Sequence, residues 1–334
     1  MYRPSLLRFR ILASTCVLSL IACAQGAAVA ATPSIQDGQT VAFMGDSFTA
    51  VGWVLPYGYI HFVVNGLNAI GIHVTPIPAG ISGQTSRDML ARIKSDIISK
   101  KPDWMTLSCG VNDVWHGVEG VDLENYKKNI SSIVDQCQAA GIHVIILTST
   151  RIGEEDNDMN RKLVSYNDFL RQLAGEKHCL LADLNAAEQA ALAKLHADPH
   201  QKYLTVDGVH MNVLGNRMMA RGILEAIGVD DKLFPKIEQA WLDAPNGGQV
   251  EYSLSYRGDI PLTLRESDTL DAIAAARHQS TSDLLNGLFV TSLVKVIKNE
   301  MPATQGGIQP AAEKEFAAGV AALLKENASA AAAK

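Results

Sequence analysis

The chain has 334 residues, enough for one large domain with an appendage or for two domains. Apolar residues make up 47% of it, so a substantial core is available. The net charge of −6 argues against nucleic-acid binding as the main activity.

The first residues read as an export signal. MYRPSLLRFR carries Arg3, Arg8 and Arg10, the uncharged run ILASTCVLSLIACA follows, and Ala28-Val29-Ala30 fits an A-x-A cleavage pattern. A signal peptide over residues 1–30 is therefore expected. The run is shorter than the about 20 apolar residues a transmembrane helix needs, and no other segment reads as membrane-spanning. Leu20-Ile21-Ala22-Cys23 also resembles a lipoprotein box. On that reading Cys23 carries a lipid anchor, and the protein is an outer-membrane lipoprotein rather than a free periplasmic or extracellular one. Of the five cysteines, Cys109, Cys137 and Cys179 lie beyond the signal. They show no C-x-x-C spacing, so neither a disulfide framework nor a zinc site is indicated. Buried free thiols are expected, with a Cys137–Cys179 bridge as the alternative.

From residue 39 the chain alternates. Apolar, β-rich runs at 39–44, 72–77, 103–109, 142–148 and 178–182 read as strands. Helical patterns lie between and after them at 56–70, 85–100, 122–140, 157–175 and 185–197. Gly141 stops one helix just before Ile142 opens a strand, and Asn212 caps a last helix that runs to Ile227. Near-continuous apolar strands separated by helices predict an α/β fold, a three-layer α/β/α domain with a five-stranded parallel, flavodoxin-like sheet over residues 36–230. Sites in such sheets form beyond the carboxyl ends of the strands. Ser47, Gly83, Asn112 and Arg151 all fall there.

Residues 235–334 differ in character. EYSLSYRGDIPLTLRESD reads as a β-hairpin, helical patterns follow at 267–278 and 281–299, and EKEFAAGVAALLKENASAAAAK is helical before an alanine-rich end. This predicts a mostly helical accessory module with a disordered terminus. Its order of short strand, helix and helix weakly resembles ribbon-helix-helix modules, which bind DNA as dimers. An exported chain meets no DNA, so the expectation is packing or a homodimer through this module.

The chemistry centres on FMGDSFTAVGW, residues 43–53. A serine hydroxyl is a poor nucleophile until a base takes its proton, and the base is normally a histidine oriented by a carboxylate. VDGVHMN supplies both, with Asp207 and His210 three residues apart. The G-x-S-x-G elbow of ordinary α/β-hydrolases is absent. Oxyanion donors are available from the Ser47 N–H, from Gly83 in GISGQTS, where a glycine leaves the backbone uncovered, and from the Asn112 amide in CGVNDVW. Asp46 and Asp113 are expected to brace the loops through backbone hydrogen bonds. His196, Asp198 and His200 lack a further ligand nearby and read as a solvated helix end, so no metal is expected. Trp53, Trp115 and His116 are placed to line the mouth of the site.

Four blocks together resemble the SGNH (GDSL-type) hydrolases: GDSF at 45–48, the glycine of ISGQT at 83, GVND at 110–113 and DGVH at 207–210. The resemblance covers about residues 39–228. It implies Ser47 as nucleophile, His210 as base, Asp207 as its orienting acid, and Gly83 and Asn112 completing the oxyanion hole with Ser47. No cofactor is implied. Phe48 stands where leucine is common and is expected to pack under the following helix. The implied activity is hydrolysis of an ester substrate, O-acetylated polysaccharide or a small acyl ester. Two alternatives are an O-acyltransferase using the same residues and a non-catalytic binding or assembly protein acting through the C-terminal module.

Overall fold

A computed structural model describes residues 33–195, 203–244, 262–299 and 314–325. The readings of a signal peptide and of lipidation at Cys23 lie outside the described residues. So do most of the hairpin reading and the alanine-rich end.

The described chain runs β1 (Thr40–Gly45), α1 (Ser47–Val54), α2 (Tyr59–Ala69), β2 (Thr75–Gly80), α3 (Ser86–Asp96) and β3 (Trp104–Ser108). It continues through α4 (Val111–Trp115), α5 (Leu123–Ala139), β4 (His143–Leu147), α6 (Asp158–Glu176), β5 (Leu180–Ala182) and α7 (Leu184–Leu195). After a loop come α8 (Val213–Ala226), α9 (Phe234–Asp243), α10 (Leu264–Ala276) and α11 (Thr281–Asn299). Residues 314–325 are helical.

Among the described residues these five strands form one parallel sheet in the order β2-β1-β3-β4-β5. This is the expected α/β architecture. Strands β1, β3 and β4 are buried almost throughout, because helices cover both faces of a parallel sheet. The strand order reverses between β1 and β3, which opens a crevice at their carboxyl ends. Ser47 follows β1 and Asn112 follows β3, so both reach that crevice.

Several boundaries differ from the sequence reading, most of them at element ends. The second strand is Thr75–Gly80 rather than 72–77. It contains Pro76 and Pro78, which lack an N–H, and it is tolerated because β2 is an edge strand that among the described residues pairs with β1 alone. A short helix, α1, begins at Ser47 itself; SFTAVGWV is apolar almost throughout and shows little helical periodicity to announce it. The fifth strand is reduced to Leu180–Ala182.

Helix α9 buries Phe234, Ile237 and Trp241 in the main core, and the Trp241 Nε1–H donates to the Phe62 carbonyl of α2 at 2.8 Å. Beyond the undescribed residues 245–261, the described chain is not strand. Leu262 and Thr263 lead straight into α10, which Thr263 caps reciprocally with Glu266. Leu262, Leu270, Ile273, Leu284, Leu285, Phe289, Phe316 and Val320 form a second hydrophobic cluster apart from the sheet's core. The two regions are tied by Leu264, which packs in the main core, by Arg217–Asp268 at 2.7 Å, and by an ion pair of Arg265 with Asp243.

Candidate active site

Strand β1 delivers Ser47 to the crevice at the first position of α1. Asp46 caps that helix, its Oδ1 accepting the Phe48 N–H at 3.0 Å. The Ser47 N–H is one of the helix-start donors that no helical carbonyl can satisfy. The positive end of the α1 dipole favours negative charge at this point.

His210 reaches Ser47 from a tight hairpin over residues 204–212. Val206 N–H donates to His210 O at 2.8 Å, and Asn212 N–H donates to Leu204 O at 2.9 Å. Inside the turn, Asp207 Oδ1 accepts the Val209 and His210 backbone N–H groups at 3.0 and 2.7 Å. Its Oδ2 lies 2.7 Å from His210 Nδ1. Partial burial works to raise the Asp207 pKa, but the bonds from the His210 ring and from the His210 and Val209 N–H groups outweigh it and hold the carboxyl below its usual value. An ionised carboxylate only accepts, so Nδ1 carries the proton and the Nε2 lone pair faces outward. Nε2 lies 2.9 Å from Ser47 Oγ. The structure thus brings Ser47, His210 and Asp207 into one hydrogen-bonded line.

The Phe48 ring lies 5.7 Å from the His210 ring, tilted by 34°. Phe48 is buried in the main core, as expected, and it also walls one side of the base. Phe48, Val51, Met211 and Met219 line a cavity of about 10 Å³ that touches His210.

Gly83 sits on the exposed turn after β2 with φ +78°, a backbone conformation that favours glycine. Among the described residues no carbonyl accepts its N–H. Asn112 is buried near the start of α4; its Nδ2 donates to Gln84 O at 3.0 Å and lies 3.5 Å from Asp46 Oδ2. The loops bearing these donors are braced by Asp113, whose carboxylate accepts the Ser86 N–H at 3.0 Å and the Ser86 hydroxyl at 2.5 Å. Both acidic residues named for bracing therefore make such bonds. Asp46 is 1% exposed, and burial pushes its pKa up to about 7. The Phe48 N–H opposes that rise, Asp113 adds to it and His210 reduces it.

Trp115 and His116 are exposed at the end of α4. Trp53 is exposed on α1 and stacks on His61 at 5.1 Å. Asn216 was not foreseen. Its Oδ1 accepts the Tyr59 N–H at 2.9 Å and its Nδ2 donates to Met211 O at 3.0 Å, tying the hairpin to α2 and α8. Nothing local in GNRMM marks that role. Cys109, Cys137 and Cys179 are free thiols. Among the described residues no group of three His, Cys, Asp or Glu is placed to hold a metal; His196, Asp198 and His200 lie outside them.

Comparison with known proteins identifies the family. A family model described as GDSL-like lipase/acylhydrolase matches residues 43–218. An acetylxylan esterase of Geobacillus stearothermophilus is 33% identical over 218 residues, spanning 59% of this chain and 97% of that protein. An uncharacterised lipoprotein, YqeF of Bacillus subtilis, is 26% identical over 176 residues, 43% of this chain and 70% of its own. The crystal structure of an acetylxylan esterase from Geobacillus stearothermophilus superposes with a TM-score of 0.53 at 30% identity, covering 59% of this chain and 97% of that one. The chain belongs to the GDSL-like lipase/acylhydrolase family, the SGNH hydrolases, and is a carboxylic ester hydrolase.

Proposed function

We propose that this protein is an exported serine esterase that removes acetyl groups from carbohydrate, with Ser47, His210 and Asp207 as its catalytic residues. The observation that carries the reading is the 2.9 Å approach of His210 Nε2 to Ser47 Oγ with Asp207 fixing the tautomer. His210 takes the Ser47 proton as Oγ attacks the ester carbonyl. The tetrahedral oxyanion is met by the Ser47 and Gly83 N–H groups and the Asn112 amide, each such donor being worth about 3 kcal/mol in the transition state. His210 then protonates the departing sugar oxygen, leaving Ser47 acetylated. Water, deprotonated by His210, releases acetate and restores the hydroxyl.

The substrate class rests on the acetylxylan esterase relative. Catalytic mutants of that enzyme substitute a serine, an aspartate and a histidine, the last two three positions apart as Asp207 and His210 are here. Trp115 and Trp53 are exposed, and on the reading that they line the mouth of the site they offer faces on which sugar rings stack. Export rests on the basic and apolar N-terminus; a lipid anchor at Cys23 is supported by the lipoprotein relative.

Acetate release from acetylated xylan, alongside hydrolysis of p-nitrophenyl acetate and p-nitrophenyl octanoate, tests the proposal. Wild type should cleave the acetyl substrates faster than the octanoate, and Ser47→Ala should abolish all three. Equal rates for the two proteins would overturn it. Transfer of acetate to an added sugar rather than to water would instead identify an acyltransferase.

A further inference from the structure

The contacts inside the 204–212 hairpin fix His210 against Asp207. They do not fix the hairpin against Ser47, which sits on β1. That relation depends on what holds the hairpin's base.

Asn216 ties the second half of the hairpin at Met211, and the loop after β4 holds the first half. Glu154 is 8% exposed, and its Oε1 accepts three bonds from the hairpin's first strand. They come from the Leu204 N–H at 2.8 Å, the Thr205 N–H at 2.7 Å and the Thr205 hydroxyl at 2.5 Å. Next to it, Gly153 N–H donates to the carbonyl of Gly208, which lies between Asp207 and His210, at 2.7 Å. The gripping loop is itself rigid. Asn160 of α6 accepts the Ile152 N–H at 2.8 Å and returns its amide to the carbonyls of Ile152, Gly153 and Glu155 at 3.1, 2.9 and 3.0 Å. The Arg151 N–H is fixed by Glu188 of α7 at 2.6 Å. A continuous set of hydrogen bonds therefore runs from the sheet-covering helices through Glu154 to the hairpin.

We propose that Glu154 is a positioning residue for the ester hydrolysis: by gripping Leu204 and Thr205 it sets the distance from His210 Nε2 to Ser47 Oγ. This rests on the reading of Ser47 and His210 as nucleophile and base. Glu154 touches neither substrate nor the reacting atoms. Its loss leaves the Asp207–His210 pair intact, because that pair is internal to the hairpin, and lets the hairpin drift. A misplacement of about 1 Å costs about 10²-fold in rate.

The variants are Glu154→Leu, Glu154→Gln and Glu154→Asp in the full chain. Gln keeps an oxygen where the three donors converge and puts its amide where the other oxygen, Oε2, has no partner among the described residues. Asp keeps the carboxyl group but withdraws it by one methylene. Glu154→Leu should lower kcat on p-nitrophenyl acetate about 10²-fold with KM and the pH–rate profile unchanged, Glu154→Asp should fall between Leu and wild type, and Glu154→Gln should restore most of the loss. The downfield proton resonance of the Asp207–His210 bond should persist in all of them. The proposal is overturned by a folded Glu154→Leu protein with wild-type kcat, or by loss of kcat, KM and that resonance together, which marks a structural role alone. If Glu154→Leu does not fold, the same readouts on Glu154→Asp decide. Amide exchange at Leu204 and Thr205 separates this proposal from the functional one. If wild type shows no esterase activity, the reading of Ser47 fails. The grip then stands if the two amides lose protection in the variant and fails if they do not.

Discussion

Substituting Asp46 by asparagine should change how stability depends on pH. Asp46 is 1% exposed, directly precedes Ser47, and has its pKa pushed from 3.8 to about 7, chiefly by burial. Between those two values the unfolded chain has lost a proton that the folded chain keeps, so folding takes up a proton there. The carboxyl's contribution is therefore intact below pH 3.8, falls as pH rises through the window, and is fully lost above about 7. Each pH unit is worth about 1.4 kcal/mol, so the window amounts to about 4 kcal/mol. Asparagine keeps an oxygen for the Phe48 N–H and never ionises. Its amide in place of Oδ2 faces the Asn112 Nδ2, 3.5 Å away in the wild type, which adds a cost independent of pH. Urea unfolding of both proteins from about pH 4 to about pH 8 should show the difference, variant minus wild type, rising by about 4 kcal/mol in favour of Asp46→Asn. A difference that stays flat across the range would refute the assignment of a buried, proton-holding carboxyl.

Asp207→Asn should leave the fold intact and lower kcat about 10⁴-fold, because an amide no longer dictates that Nδ1 carries the proton; steady-state kinetics with a melting curve checks this. Trp115→Ala should raise KM for acetylated xylan and leave KM for p-nitrophenyl acetate unchanged, if the exposed ring supports a sugar chain; equal effects on both substrates would count against that role. A chain ending at residue 244 keeps α9 and Trp241 in the main core and removes the second hydrophobic cluster. It should retain p-nitrophenyl acetate hydrolysis, and failure to fold would show that the accessory module is not separable.

The parts of this protein legible from sequence are those encoded locally. GDS, GVND and DGVH each stand at the end of an apolar run or beside a capping asparagine, so their convergence follows from a parallel sheet. Asp207 and His210 make their mutual contact within one turn, which spacing alone suggests. The edge strand was misplaced by three residues because Pro76 and Pro78 argue against a strand until its edge position is known. The packing of Phe48 on His210, the bridging by Asn216 and the grip of Glu154 join residues far apart in the chain, and no local pattern encodes them. Glu154 lies in GEEDND, a stretch that reads as a solvated acidic loop, yet its carboxylate is buried under three donors.

The central claim, that His210 makes Ser47 a nucleophile, is tested most directly by covalent labelling. Wild type and His210→Ala would be treated with a fluorophosphonate, and the modified peptide located by mass spectrometry. The account predicts one adduct on Ser47 in wild type, formed far more slowly in His210→Ala. An adduct elsewhere, or equal labelling rates in the two proteins, would contradict it.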